Sequence, residues 1–284
     1  MPAHRSPSFA LAVAAIVTGL TVASPLTAAG PEPYAAAARE ALHIAIDVGR
    51  VSDLASAVAA GDTDAFAKLV EVDARVQQRF HSLGVLALGQ PALPVPTHGP
   101  AADALRDLHS QWKGIAREIR GLALWVPDAT GMRAHTARLP DLHSQLVERL
   151  DHAARTIGAR EGFEPGYAFA MLIARLQRIQ GTVDAIWHGV EVVQFDRMHV
   201  DASTVARAIA SLPPGDDAMV ADLQAALAPF TESVDAVVTH STGLLELQEH
   251  ALQIRILSRP LAEAAERLAD QLAATSSPVG HAGG

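Results

Sequence analysis

Two groups of side chains in this sequence have the chemistry to hold something. The first is His188 with Glu191, three apart. On one helix that spacing puts an imidazole and a carboxylate on neighbouring faces, and these donor types bind divalent first-row metals. Two ligands do not close a metal site, which takes about four in a tetrahedral shell. The second group is Arg178, with Arg175 one turn before it and Arg50 at the matching place 128 residues earlier. Arg178 stands next to Ile179 at the edge of an apolar seam, where a guanidinium can lay its stem over a core or offer its planar fork to an anion. Weaker patterns are the repeated pentad (Asp107, His109 and Gln111, then Asp141, His143 and Gln145) and the cluster Glu246, Glu249 and His250. A di-iron bundle needs Glu-x-x-His pairs on two helices, and these are absent. There is no Gly-x-Ser-x-Gly elbow, no phosphate-cradling glycine loop and no cysteine. The reading is therefore a non-enzyme without a cofactor.

Helices must position these groups. Over 163–196 the apolar residues Phe169, Leu172, Leu176, Ile179, Val183, Ile186, Val190 and Val193 step by three and four, the spacing of a helix with one buried stripe. A fainter copy lies 128 residues earlier in Ala41, Ile44, Val48, Val51, Ala55 and Val58, with Gly61 in the place of Gly189. The first copy predicts a helix from Pro33 to Gly61, followed by one capped at Asp62 or Thr63 with Phe66, Leu69, Val72, Val76 and Phe80 inward. A proline-rich connector of residues 89–100 leads to a third helix through Leu105, Trp112 and Ile119 that Pro127 should stop. A fourth follows through Leu142, Leu146 and Leu150, and 158–166 reads as a join. After the seam come a short helix capped by Asp201 or Ser203, and a long one from Asp217 that Pro260 should kink or break before a last helix through Leu261, Leu268 and Leu272. Trp112 superposes on Phe230, and Leu150 on Leu268, at an offset of 118. Nothing alternates with period two, so no sheet is expected. The predicted fold is all-α: two tandem, elongated, antiparallel helical bundles from an internal duplication. Their spans are residues 30–160 and 161–274, with a flexible tail at 275–284.

Composition narrows the classes further. His4 and Arg5 precede an apolar run from Phe9 to Ala23 and small residues at Thr27–Ala29, the pattern of a secretory signal peptide over residues 1–29. That run is shorter than the roughly 20 residues that span a bilayer, with an uncleaved anchor as the competing reading. The expected location is periplasmic or secreted. With no cysteine, stability must come from apolar burial without disulfides. A net charge of −9 without a basic stripe argues against nucleic acid.

From Ala59-Ala60-Gly61-Asp62-Thr63-Asp64-Ala65-Phe66-Ala67-Lys68-Leu69 through the amphipathic helix that follows, the chain resembles the periplasmic N-terminal region of PilJ-type methyl-accepting chemotaxis transducers of type IV pili. Met171-Leu172 and Gln177-Arg178-Ile179 resemble that family's helix-opening box, and Phe230 to Val237 resembles part of its second module. The resemblance covers about residues 40–272 and rests on the order of many short matches. It implies two bundle modules, a sensing role, a homodimer, association with a pilus component or chemoreceptor, and a small anion held at Arg178, the arginine that matches the box, with Arg50 as its fainter counterpart. Arg175, one turn earlier, would enlarge the basic patch on the same side. The box is departed from: several residues separate Leu172 from Arg178, where the family has Met-Leu beside Ser-Gln-Arg. No counterpart of the family's cytoplasmic coiled coil follows, which implies a sensor module without its transmitter. A second resemblance, of Trp187, His188 and Glu191 to the His-x-x-Glu element of imelysin-like periplasmic proteins, implies metal or iron binding. Ile186 stands where that element has glycine.

Overall fold

The computed structural model describes residues 31–84, 98–161, 163–189, 191–212 and 217–276. The expected signal segment, most of the proline-rich connector, Val190, Pro213-Pro214-Gly215 and residues 277–284 lie outside these. Seven α-helices carry the described chain: α1 (Pro31–Ala59), α2 (Ala65–Ser82), α3 (Pro100–Thr136), α4 (Leu139–Glu161), α5 (Phe163–Ala185), α6 (Val192–Ala210) and α7 (Asp217–Ser276). A single 3-10 turn, Ile186–His188, continues α5. No strand occurs among the described residues, and the all-α class is as expected.

The seam points inward as far as Ile186: Phe169, Leu172, Leu176, Ile179, Val183 and Ile186 are all buried. Beyond it Gly189, at φ +100°, turns the chain, and Val193 stands on α6 with 43% exposure. Gly61, at φ +90°, makes the equivalent turn after α1. A left-handed backbone suits glycine because a Cβ there meets the adjoining carbonyl. At Gly61 there is a second reason, since a Cβ would stand 2.9 Å from Cδ2 and Cε3 of Trp187.

Two prolines do not end their helices. Pro127 lies within α3 and Pro260 within α7, which also contains Pro229. Each proline removes one backbone hydrogen bond. Burial on both sides offsets that loss, with Leu122, Ala129 and Met132 fully buried around Pro127, and Ile254, Leu261 and Ala265 likewise around Pro260. At about 1.5 Å per residue, α7 is roughly 90 Å long.

This continuity decides which helices pack together. One core joins α1, α2, α3 as far as Ala129, and α7 from Leu247 to Leu272. The other joins Met132 at the end of α3, α4, α5, α6, and α7 from Leu223 to Leu244. Each is built on four helices, but α4 sits in the second core and the C-terminal half of α7 in the first. The expected division after residue 160 therefore falls inside the second core, between α4 and α5, and 158–161 is helix rather than join. Leu150 and Leu268, equivalent by sequence offset, are both fully buried, each in the core opposite to the one expected. The fourth helix of each repeat is exchanged.

α3 and α7 run antiparallel. His250 of α7 lies over Gly121 of α3, where a Cβ would come within 2.6 Å of its ring, and His240 lies over Gly131 in the same way. Each imidazole is fixed by an acid one turn earlier on α3: His250 Nδ1 is 2.7 Å from Glu118 Oε2, and His240 Nδ1 is 2.8 Å from Asp128 Oδ1. The two shared helices are thus pinned on both sides of the point where one core gives way to the other.

Candidate functional site between α5 and α6

Arg175 and Arg178 follow each other by one turn on α5 and face α6. Opposite them is Asp201, which the sequence placed at a helix start and the structure places in the middle of α6. The reason is that α6 begins nine residues earlier than expected, at Val192, after Glu191 in extended backbone. Asp201 is 8% exposed, on the face shared by Met198, Ala202 and Val205. Its Oδ1 accepts from Arg175 Nη1 at 2.6 Å and from Arg178 Nη2 at 3.0 Å, and its Oδ2 accepts from Arg178 Nε at 3.1 Å. One carboxylate so neutralises one of two guanidiniums and fixes both, the geometry of a fork on a carboxylate edge.

The Arg178 side chain keeps 56% of its surface exposed, and that surface borders a cleft of about 480 Å³. Thr182, Gln194, Arg197, Met198 and Asp201 also line it. Arg197 makes no ion pair among the described residues. With Arg175 close behind, the cleft carries two positive charges beyond what Asp201 balances. A hydroxyl, an amide and an exposed guanidinium around a concave surface suit a small oxyanion.

The third arginine named by the resemblance is elsewhere in a different setting. Arg50 donates to Asp47 Oδ1 at 3.3 Å on its own helix. Asp47, 1% exposed, also accepts from Arg79 Nε at 3.0 Å and faces Arg75 Nη2 at 3.8 Å. Arg79 donates further to Glu40 at 2.7 Å and to His43 Nδ1 at 3.1 Å. Burial disfavours the charge on Arg79, but Glu40 and Asp47 outweigh it and raise its pKa. At the offset of 128, Asp47 occupies the place of Arg175. In the first bundle the long helix supplies the carboxylate and Arg50, and α2 supplies Arg75 and Arg79, whereas in the second the long helix supplies the arginines and α6 the carboxylate. Asp73, the sequence counterpart of Asp201, takes no part. It accepts from Gln77, and burial raises its pKa against the opposing pull of Gln77 and Arg120.

His188 and Glu191 do not share a helix. The 3-10 turn ends at His188, Gly189 reverses the backbone and Glu191 precedes α6, so both are exposed without the expected i, i+3 register. Among the described residues no group of three or more His, Asp or Glu is placed to hold a metal ion. The pentads are likewise apart, because α4 packs on α5 and α7 rather than folding back along α3. His109 lies against Phe80, ring centroids 5.1 Å apart, while His143 is near Asp184 of α5. In the cluster on α7, His250 pairs with Glu118, and Glu249 accepts from Gln253.

Burial lowers the pKa of His109, helped by Lys113, and lowers that of His143 despite Asp184. Both imidazoles thus bind a proton less readily folded than unfolded. Their contribution to stability is complete above the ordinary imidazole pKa and is lost as pH falls through it. The urea midpoint is expected to fall between about pH 7 and pH 5. His143→Gln should flatten that slope; an unchanged slope would refute the assignment.

No family model matches the chain, and no curated protein sequence matches it. Among solved structures, one that the chain is similar to is the TorS sensor domain in complex with TorT in the presence of TMAO. It aligns over 84% of this chain and 99% of that chain, at 11% identity and a TM-score of 0.43. No described helix is long and apolar enough to cross a membrane.

Proposed function

We propose that the protein is a non-enzymatic, exported sensor or binding module of the PilJ type, and that its second bundle takes a small anion in the cleft between α5 and α6. The observation that supports this reading is the pairing of half-exposed Arg178 with unpaired Arg197 around that cleft, while Asp201 holds Arg178 in place. Export, homodimerisation and association with a pilus component or chemoreceptor belong to the same proposal through the sequence resemblance. Arg50 is given no ligand role, because it stands on α1 in the first bundle and does not line this cleft.

The test is thermal unfolding of the purified protein against nitrate, nitrite, acetate and phosphate at constant ionic strength. An anion at ten times its dissociation constant stabilises by about 1.4 kcal/mol. Arg178→Ala should abolish the shift and Arg50→Ala should leave it intact. Asp201→Asn should cost about 1 kcal/mol of stability yet tighten anion binding, since it removes the internal competitor for the two guanidiniums. The absence of any anion-specific shift, or a shift indifferent to Arg178→Ala, would overturn the proposal.

A further inference from the structure

The two long helices that open the repeats end against each other. α1 finishes at Ala59 and turns at Gly61, and the continuation of α5 finishes at His188 and turns at Gly189. Between these ends Trp187 packs against both cores, its indole flat on Gly61. α7 passes alongside just where it leaves the second core, after Leu244, and enters the first at Leu247. Gln248 donates to the Ile186 carbonyl at 3.4 Å. A cleft of about 320 Å³ opens at this waist, within the size range of small-molecule sites.

Its lining has two characters. Trp187, Ala59, Ala60, Ala251 and Leu252 form an apolar wall, and Leu252 keeps 37% exposure. Arg255 supplies positive charge at the rim, and the His188 imidazole stands beside the opening as a hydrogen-bonding group. A guanidinium beside a helix C-terminus has an ordinary explanation, that it serves the last carbonyls and the helix dipole. Here that work is done by other groups. Arg133 of α3 donates to the Gly61 carbonyl, and the amides of Ala60, Gly61 and Asp62 close on the carbonyls of Ser56, Val58 and Ala57. Arg255 has no hydrogen bond or ion pair among the described residues. A free planar cation next to an indole and an exposed leucine is matched by a carboxylate joined to an apolar body.

We infer that the waist cleft binds a small organic anion, its carboxylate on Arg255 and its apolar body against Trp187 and Leu252. Because α1, the turn after α5 and α7 all line it, an occupant touches both bundles. This site is separate from the arginine cleft of the proposed function and does not depend on it.

Isothermal titration of the full-length protein with benzoate, phenylacetate and hexanoate tests the inference, with tryptophan fluorescence as a second readout. At least one of the three should bind saturably and change the emission. Acetate, which has no apolar body, and benzyl alcohol, which has no charge, should bind at least tenfold more weakly. Arg255→Gln, at an exposed position where unfolding is not expected, should weaken binding at least tenfold with an unchanged circular dichroism spectrum. Arg178→Ala should leave it unaltered. The inference is overturned by no saturable binding of any of the three, by binding indifferent to Arg255→Gln, or by binding lost in Arg178→Ala instead.

Discussion

Trp112→Ala is expected to lower the unfolding free energy by about 3–5 kcal/mol, while Trp112→Phe costs about 1 kcal/mol or less. Trp112 is 2% exposed and sits on α3 among the residues of the first core. Truncation to alanine removes a large apolar surface and leaves a cavity that rigid neighbouring helices cannot fill. The phenylalanine variant differs for two reasons. The indole Nε1 is buried without a hydrogen-bond partner, so its loss gives up no bond and relieves a desolvated donor. In addition, Phe230 fills the equivalent place in the second core at 1% exposure, so a single ring suits the site the repeats share. Urea denaturation of the two variants checks the contrast. Equal losses for Phe and Ala would show that indole volume alone matters and that the equivalence of the two positions is superficial.

The helices themselves were readable because period-3.6 burial needs only local spacing. Leu105, Trp112 and Ile119 are inward, as are Leu223, Phe230 and Val237, all at or below 5% exposure. What escaped the sequence was non-local. A proline's cost is visible in the chain, whereas the burial that offsets it depends on partners more than a hundred residues away. Once Pro127 and Pro260 are continuous helix, the fourth helices must cross between bundles, and short links permit either arrangement. Asp201 did carry a signal, an acid three residues after Met198 and four before Val205 on an apolar face. It was read as a cap because Asp is common there. The pairing of Gly121 with His250 left no such trace, since neither residue is unusual until the other helix lies against it. Within the candidate site, Arg178 and Arg175 were legible from the seam, but Arg197 and the carboxylate that organises them were not.

Asp47→Ala should destabilise by about 3 kcal/mol, the largest effect expected of any charge removal in the first bundle. Its carboxylate is 2% exposed and is the common acceptor for Arg79 and Arg50, with Arg75 at 3.8 Å. Losing one partner of a buried ion pair costs about 3–5 kcal/mol because the other charge is stranded. The lower end applies here, since Arg50 and Arg75 are 60% and 43% exposed and can turn to water. Arg79 is the stranded group, at 23% exposure, though Glu40 continues to bind it at 2.7 Å. Replacing Arg79 with Met in the Asp47→Leu background should recover only part of the loss, because Glu40, at 28% exposure, then loses its own partner. Arg50→Ala alone should change stability by about 0.5 kcal/mol or less. Urea unfolding of this series distinguishes a clasp centred on Asp47 from a set of independent surface pairs, for which each removal would cost about the same. The same centring separates the two repeats in structure. In the first bundle the carboxylate is sealed among its arginines, and in the second Asp201 leaves Arg178 half in the cleft, where an added anion can reach it.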